Sequence, residues 1–253
     1  MREIAVGVGI GTALLAVGVP FGLLDTVLQR VVADQGVGVS VTARYEAGDG
    51  PDRAALFRGA RELPAGVGPE TGCAGRAVAR GAVDFRVTPV RVQVTGEPGH
   101  TVAIEDIRAR RTRVGRPGPG VVLACPGQGG AAVPAMALEL DDPRPRALRV
   151  TEPDGAQVIT RTPYFQRTVH YVEDGRPEAF EIAAYARTAD CEWVIEVVGS
   201  VDGKPHVWTA DDGGRPFRTA GELPGGRYRV YPVGPRYAFR ERSGLPWLTP
   251  PPT

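Results

Sequence analysis

Lysine is almost missing from this chain. Lys204 is the one lysine among 253 residues, and the other 29 of the 30 basic residues are arginine. Serine, histidine and cysteine number three each. So few nucleophiles and bases leave little room for common hydrolase chemistry. The formal net charge is +1, which excludes a global electrostatic pull toward nucleic acid. The cysteines stand at 73, 125 and 191, in no CxxC pair and in no Cys/His metal spacing. Asp211-Asp212-Gly213 and Asp202-Gly203 look like pieces of calcium loops, but the full EF-hand spacing is missing, and Asp-Gly is first of all turn chemistry. Neither a metal nor a cofactor is expected. With lysine scarce and Ala, Gly, Pro and Val abundant, the composition reads as that of a high-GC genome rather than as a chemical adaptation.

What is present begins with residues 4–24, IAVGVGIGTALLAVGVPFGLL, a run of twenty-one residues without a charge. As a helix it would cover about 30 Å, the hydrocarbon thickness of a bilayer. It has no polar face, which argues against a core helix of a soluble domain. It is longer than the usual apolar region of a signal peptide, though Val31-Val32-Ala33 offers a small-residue cleavage site. We expect an uncleaved anchor contacting the bilayer through 4–24. Gly7/Gly11 and Gly18/Gly22 are small-xxx-small pairs through which two anchors could form a homodimer, although glycine is common in membrane helices generally.

Beyond the anchor, residues 25–34 read as a short amphipathic helix. Val39, Val41 and Tyr45 belong to a period-2 strand, and 52–63 reads as a helix capped by Asp52. From 83 onward short alternating runs separated by Gly, Asp and Pro turns predict strands almost throughout. Residues 83–95 and 100–114 are expected to form a hairpin, with a slip in the second strand at Glu105-Asp106. Val201-Asp202-Gly203-Lys204 is a strong hairpin signal. The expected organisation is a cytoplasmic head at 1–3, the anchor at 4–24, a juxtamembrane helix, strand and short helix at 25–80, and a β-sandwich at 81–233. A Pro-rich tail at 234–253 follows. The fold class is mainly β: a transmembrane helix followed by an extracytoplasmic antiparallel β-sandwich with one or two short helices.

Four pieces resemble a known group. They are the apolar amino-terminal helix, the segment VRVQVTGEPGHTVAIEDIRAR at 90–110, the turn Cys125-Pro126-Gly127-Gln128-Gly129-Gly130, and the block from Ala189 to Glu196 leading to 212–219. Together they are similar to single-pass membrane proteins of high-GC Gram-positive bacteria, the actinobacteria. The resemblance implies an anchored topology and carries over no catalytic residue. Cys73 is not part of the pattern.

Cys125 and Cys191 each lie beside a strand, and a disulfide between them is the expected pairing; two buried free thiols are the alternative. Arg108, Arg110, Arg111 and Arg113 crowd one strand, as an anion site or as a solvated face. Ser200 does not stand in the middle of a nucleophile-elbow pattern, and His100, His170 and His206 read as structural. Trp193, Trp208, Tyr164, Phe165, Phe217 and Tyr237 read as core, or as a partner patch. The expected function is a binding or structural module at the cell surface, with an unknown protein or cell-envelope partner and no catalytic residue. A surface enzyme acting on cell-wall polymer is the alternative.

Overall fold

A computed structural model describes residues 39–45, 53–67, 73–125, 135–151, 158–224, 228–231 and 240–241. The anchor at 4–24, the helix at 25–34 and, apart from Arg240–Glu241, the Pro-rich tail at 234–253 lie outside the described residues. Among the described residues no helix is long and apolar enough to cross a membrane.

The chain is mainly β. Its strands are β1 (Val39–Tyr45), β2 (Arg53–Arg58), β3 (Val83–Phe85), β4 (Val87–Gly96), β5 (Val102–Gly115), β6 (Gly120–Cys125), β7 (Met136–Glu139) and β8 (Leu148–Thr151). They continue as β9 (Val158–Pro163), β10 (His170–Val172), β11 (Pro177–Tyr185), β12 (Asp190–Val201), β13 (Lys204–Ala210), β14 (Phe217–Ala220), β15 (Arg229–Tyr231) and β16 (Arg240–Glu241). Among the described residues a single α-helix, α1 (Cys73–Ala79), accompanies them.

Two sheets form. The first has the order β1-β4-β11-β7-β8-β9. The second runs β10-β5-β12-β14-β3-β2-β6-β15-β16, with β13 sharing the β14 edge of β12. Period-2 patterning decides what faces inward. Val39 and Val41 of β1, Val90, Val92 and Val94 of β4, and Phe180 and Ile182 of β11 turn one way. They meet Val102, Ile104 and Ile107 of β5 and Trp193, Ile195 and Val197 of β12 in one buried cluster. This sheet-on-sheet layering is consistent with a sandwich. The sheets are mixed rather than antiparallel: β11–β7, β14–β3 and β15–β6 pair in parallel.

Several expectations are corrected. Residues 53–58 are a strand, not part of a helix. Arg53 through Phe57 are all buried, because Ala55 and Phe57 on one face of β2 pack under α1 with Leu123, and Ala54 and Leu56 on the other pack with Val122, Phe85 and Tyr228. A strand covered on both faces loses its alternation and reads as a generic apolar run. β4 and β5 are not a hairpin. β4 pairs with β1 and β11, and β5 with β12 and β10, so the turn at 97–101 carries the chain from one sheet to the other. β1 and β2, which fall within the 25–80 segment, are strands of the two sheets.

The cysteine pairing also differs. Cys73 of α1 is bonded to Cys125 at the end of β6, with their Cα atoms 6.0 Å apart. Cys191 is a buried free thiol. β12 and β6 are four strand positions apart in the second sheet, about 19 Å at the usual spacing, well beyond disulfide reach. The bonded pair holds α1 against β6. The helix stops at Gly81, whose φ of +91° needs no Cβ. Ala82 N–H donates to Ala77 O and Gly81 N–H to Val78 O, both at 3.0 Å, which satisfies the terminal carbonyls.

The Glu105-Asp106 slip is real. Ile104 pairs with Gly199 and Asp106 with Val198, so Glu105 is the extra residue of a bulge. The β12–β13 hairpin forms as expected, with Asp202 and Gly203 at φ of +50° and +76°, the signature of a type I′ turn.

Candidate functional site

The bulge at Glu105 matters because it sets the direction of the side chains that follow it. Arg108 and Arg110 then lie on the outer, exposed face of β5, opposite Glu196 and Val194 of β12. Two residues apart on one face, they stand about 6.8 Å apart.

A second segment joins them. Loop 141–147 runs along the free edge of β5. Ala147 N–H donates to Ile107 O at 2.8 Å, and Ala109 N–H to Pro145 O at 3.0 Å. The loop is held rigidly. Asp141 accepts hydrogen bonds from the backbone N–H groups of Arg187, Thr188 and Ala189 and from the Thr188 hydroxyl. Asp142 Oδ1 accepts from Arg144 N–H at 2.8 Å, an Asx turn, and Pro143 and Pro145 restrict the rest.

Strand and loop enclose an open cleft of about 790 Å³. Arg108, Arg110, Arg111, Arg144 and Arg146 line it, against two carboxylates, Asp142 and Glu196. Behind two of these arginines lies Asp106, 6% exposed. Its Oδ2 accepts from Arg146 Nη2 at 2.9 Å and Arg108 Nε at 3.2 Å, and its Oδ1 from Ile107 N–H at 3.0 Å. Arg108 and Arg146 face one another across an isolated bridge, a like-charge pairing that would be unfavourable without the shared carboxylate. Arg110 donates to Glu196 at 2.7 Å, and Arg111 Nη1 to Leu140 O at 3.2 Å. Arg144 is exposed and has no carboxylate within ion-pair distance among the described residues. The cleft therefore holds guanidinium groups fixed by Asp106, Glu196 and the Leu140 carbonyl, and beside them Arg144, whose positive charge is unspent, a chemistry suited to carboxylate or phosphate oxygens.

The arginines of β5 were legible from the sequence; Arg144 and Arg146 were missed. The available signal was a repeated Arg-x-Arg, Arg108-Ala109-Arg110 and Arg144-Pro145-Arg146. Arg113 is turned toward Glu192 at 3.6 Å and does not line the cleft.

Other candidates are committed elsewhere. His100 Nδ1 lies 2.7 Å from Asp202 Oδ2, whose other oxygen accepts from Thr101 N–H, so this dyad ties the β12–β13 turn to the 97–101 crossing. The hydrogen bond to Asp202 raises the His100 pKa and lowers that of Asp202. Ser200 donates to Glu105 at 3.4 Å. His170 pairs with Glu178 rather than Glu173 and stacks against Tyr164. Trp193, Trp208 and Phe217 are core. Asp211 accepts from Gly214 N–H, as turn chemistry requires.

Asp84 and Asp212 both have raised carboxyl pKa values through burial. Asp84 is closed from solvent and bonded to Arg53 at 2.7 Å, which makes it part of the core that joins β2 and β3. Burial pushes the Cys191 thiol up to about 11, leaving it inert at neutral pH. Among the described residues, no group of three His, Cys, Asp or Glu side chains is placed to hold a metal ion. Comparison with protein-family models, curated proteins and solved structures finds no match to this chain.

Proposed function

We propose that this protein is an anchored binding module, held to a membrane by residues 4–24, whose β domain lies outside the cytoplasm and takes an anionic ligand in the arginine cleft. The cleft carries the reading. Its cationic side chains come from two rigid elements and outnumber the carboxylates around them, and buried Asp106 braces one from each element, Arg108 and Arg146. Preorganised guanidinium groups bind anions without the entropy cost of gathering loose side chains. A disulfide between Cys73 and Cys125 supports a domain in an oxidising compartment, where such bonds persist. The apolar run at 4–24 supports the anchor.

The test is association of full-length protein with fluorescent polyglutamate and with inorganic polyphosphate, followed by anisotropy at low and physiological salt. Binding that weakens with salt and is lost in the double variant Arg110→Glu/Arg144→Glu is the expected outcome. Binding unaffected by that variant would remove the cleft from the account.

A further inference from the structure

The cleft has a floor as well as walls. β5 continues for six residues past its last backbone bond to loop 141–147, from Arg110 to Gly115. On one edge this stretch pairs with β12. On the other, no described strand pairs with it: β10 covers only Val102–Ile104, and the loop leaves after Ala109. Ile107 and Ala109 turn their backbone groups to this outer edge, which β5 presents onward through Arg111 and, past the bulge at Thr112, Val114. Arg110, Arg111 and Val114 all line the cleft, and Val114 is 53% exposed.

Arginines beside an open edge deter other strands from docking, and self-association above all. That same feature selects for a strand of opposite charge. A flexible polyanion matches the charge but leaves the edge amides of β5 without a partner.

Resting on the reading of the cleft as an anion site, we infer that its ligand is an extended acidic peptide segment that adds as a strand to the β5 edge at Arg111–Gly115. Backbone hydrogen bonds to the edge supply affinity. Carboxylates of the peptide, where it runs off the edge into the cleft, meet Arg110 and Arg144 and set its register, while Val114 packs against a side chain on the opposite face.

The experiment uses full-length protein and a ten-residue peptide of alternating Glu and Thr, in three forms: unmodified, N-methylated on the odd residues, and N-methylated on the even residues. A bound strand turns only one alternate set of its N–H groups toward β5. Methylating that set should therefore weaken binding by about tenfold or more, while methylating the other set leaves it nearly unchanged. Equal effects of the two methylated peptides, or no effect of either, overturn strand addition. If polyphosphate still binds the protein but not the Arg110→Glu/Arg144→Glu variant, the anion site survives that result. Failure of both the peptide and polyphosphate to bind at low salt overturns the site and the inference together.

Discussion

Gly199→Ala is a single-methyl change with a large expected effect. Gly199 lies on β12 opposite the Glu105 bulge, paired with Ile104. A Cβ there would overlap the carbonyl oxygen of Ala103 and stand 3.1 Å from its carbon and 3.2 Å from Ile104 Cα. All three obstacles are backbone. They belong to a strand paired on both edges at this point, by β10 and by β12, so it cannot yield without breaking a ladder. Overpacking of this kind costs about 1–3 kcal/mol, and a backbone obstacle places it at the upper end. The lower freedom of alanine in the unfolded chain returns up to about 1 kcal/mol. The net loss is roughly 2–3 kcal/mol, which lowers Tm by roughly 4–12 °C in a domain of this size. Calorimetry of the full-length protein measures it. Gly75→Ala is the control: Gly75 sits within α1 with nothing within 4 Å of its Cβ position, and the substitution should stabilise by up to about 1 kcal/mol. A Gly199→Ala protein that melts at or above the parent temperature would refute the bulge geometry, and with it the outward placement of the β5 arginines.

Two further outcomes follow from the same packing. Thiol titration without reductant should find none reactive in the native protein and one, Cys191, in denaturant, with all three appearing only after reduction; the Cys73→Ser variant should lose about 4 kcal/mol for the 52-residue separation that the bond spans, measured by urea unfolding. For the His100–Asp202 pair, the raised His100 pKa gives stability that is full below the ordinary histidine pKa and fades as pH rises through the raised value, while the lowered Asp202 pKa gives stability that fades as pH falls through it. Asp202→Asn, which keeps a residue tolerant of positive φ, should therefore melt below the parent most clearly at about pH 5–6, with the gap narrowing above neutrality; a gap constant across pH would show that the pair is not ionised together.

How much of this was legible in the sequence varied with burial. Strands buried on one face were plain, because Val90, Val92 and Val94 alternate with the part-exposed Arg91, Gln93 and Thr95. β2 was not, because both of its faces are covered and its residues carry no period. Turn chemistry at Asp202-Gly203 fixed a hairpin, since two positive φ angles leave the chain one way to return. The turn at 97–101 looked equivalent, but whether a turn joins neighbours in one sheet or crosses to the other depends on packing that no local pattern encodes. The cysteine pairing failed for the same reason: strand order placed β6 beside β2 and under α1, far from β12. The cleft was half visible. One arginine run sat on a readable strand, while its counterpart lay in a Pro-rich loop whose position is set by Asp141 bonding a turn more than forty residues away.

The central claim, that anions bind between β5 and loop 141–147, is tested most directly by crosslinking. Polyglutamate carrying a photoreactive group is irradiated with the full-length protein, and the modified peptides are sequenced. The account predicts adducts confined to residues 106–114 and 141–146. Arg176 and Arg215, highly exposed and outside the cleft, are internal controls for non-specific attraction. Adducts spread evenly over those arginines and the cleft would contradict it.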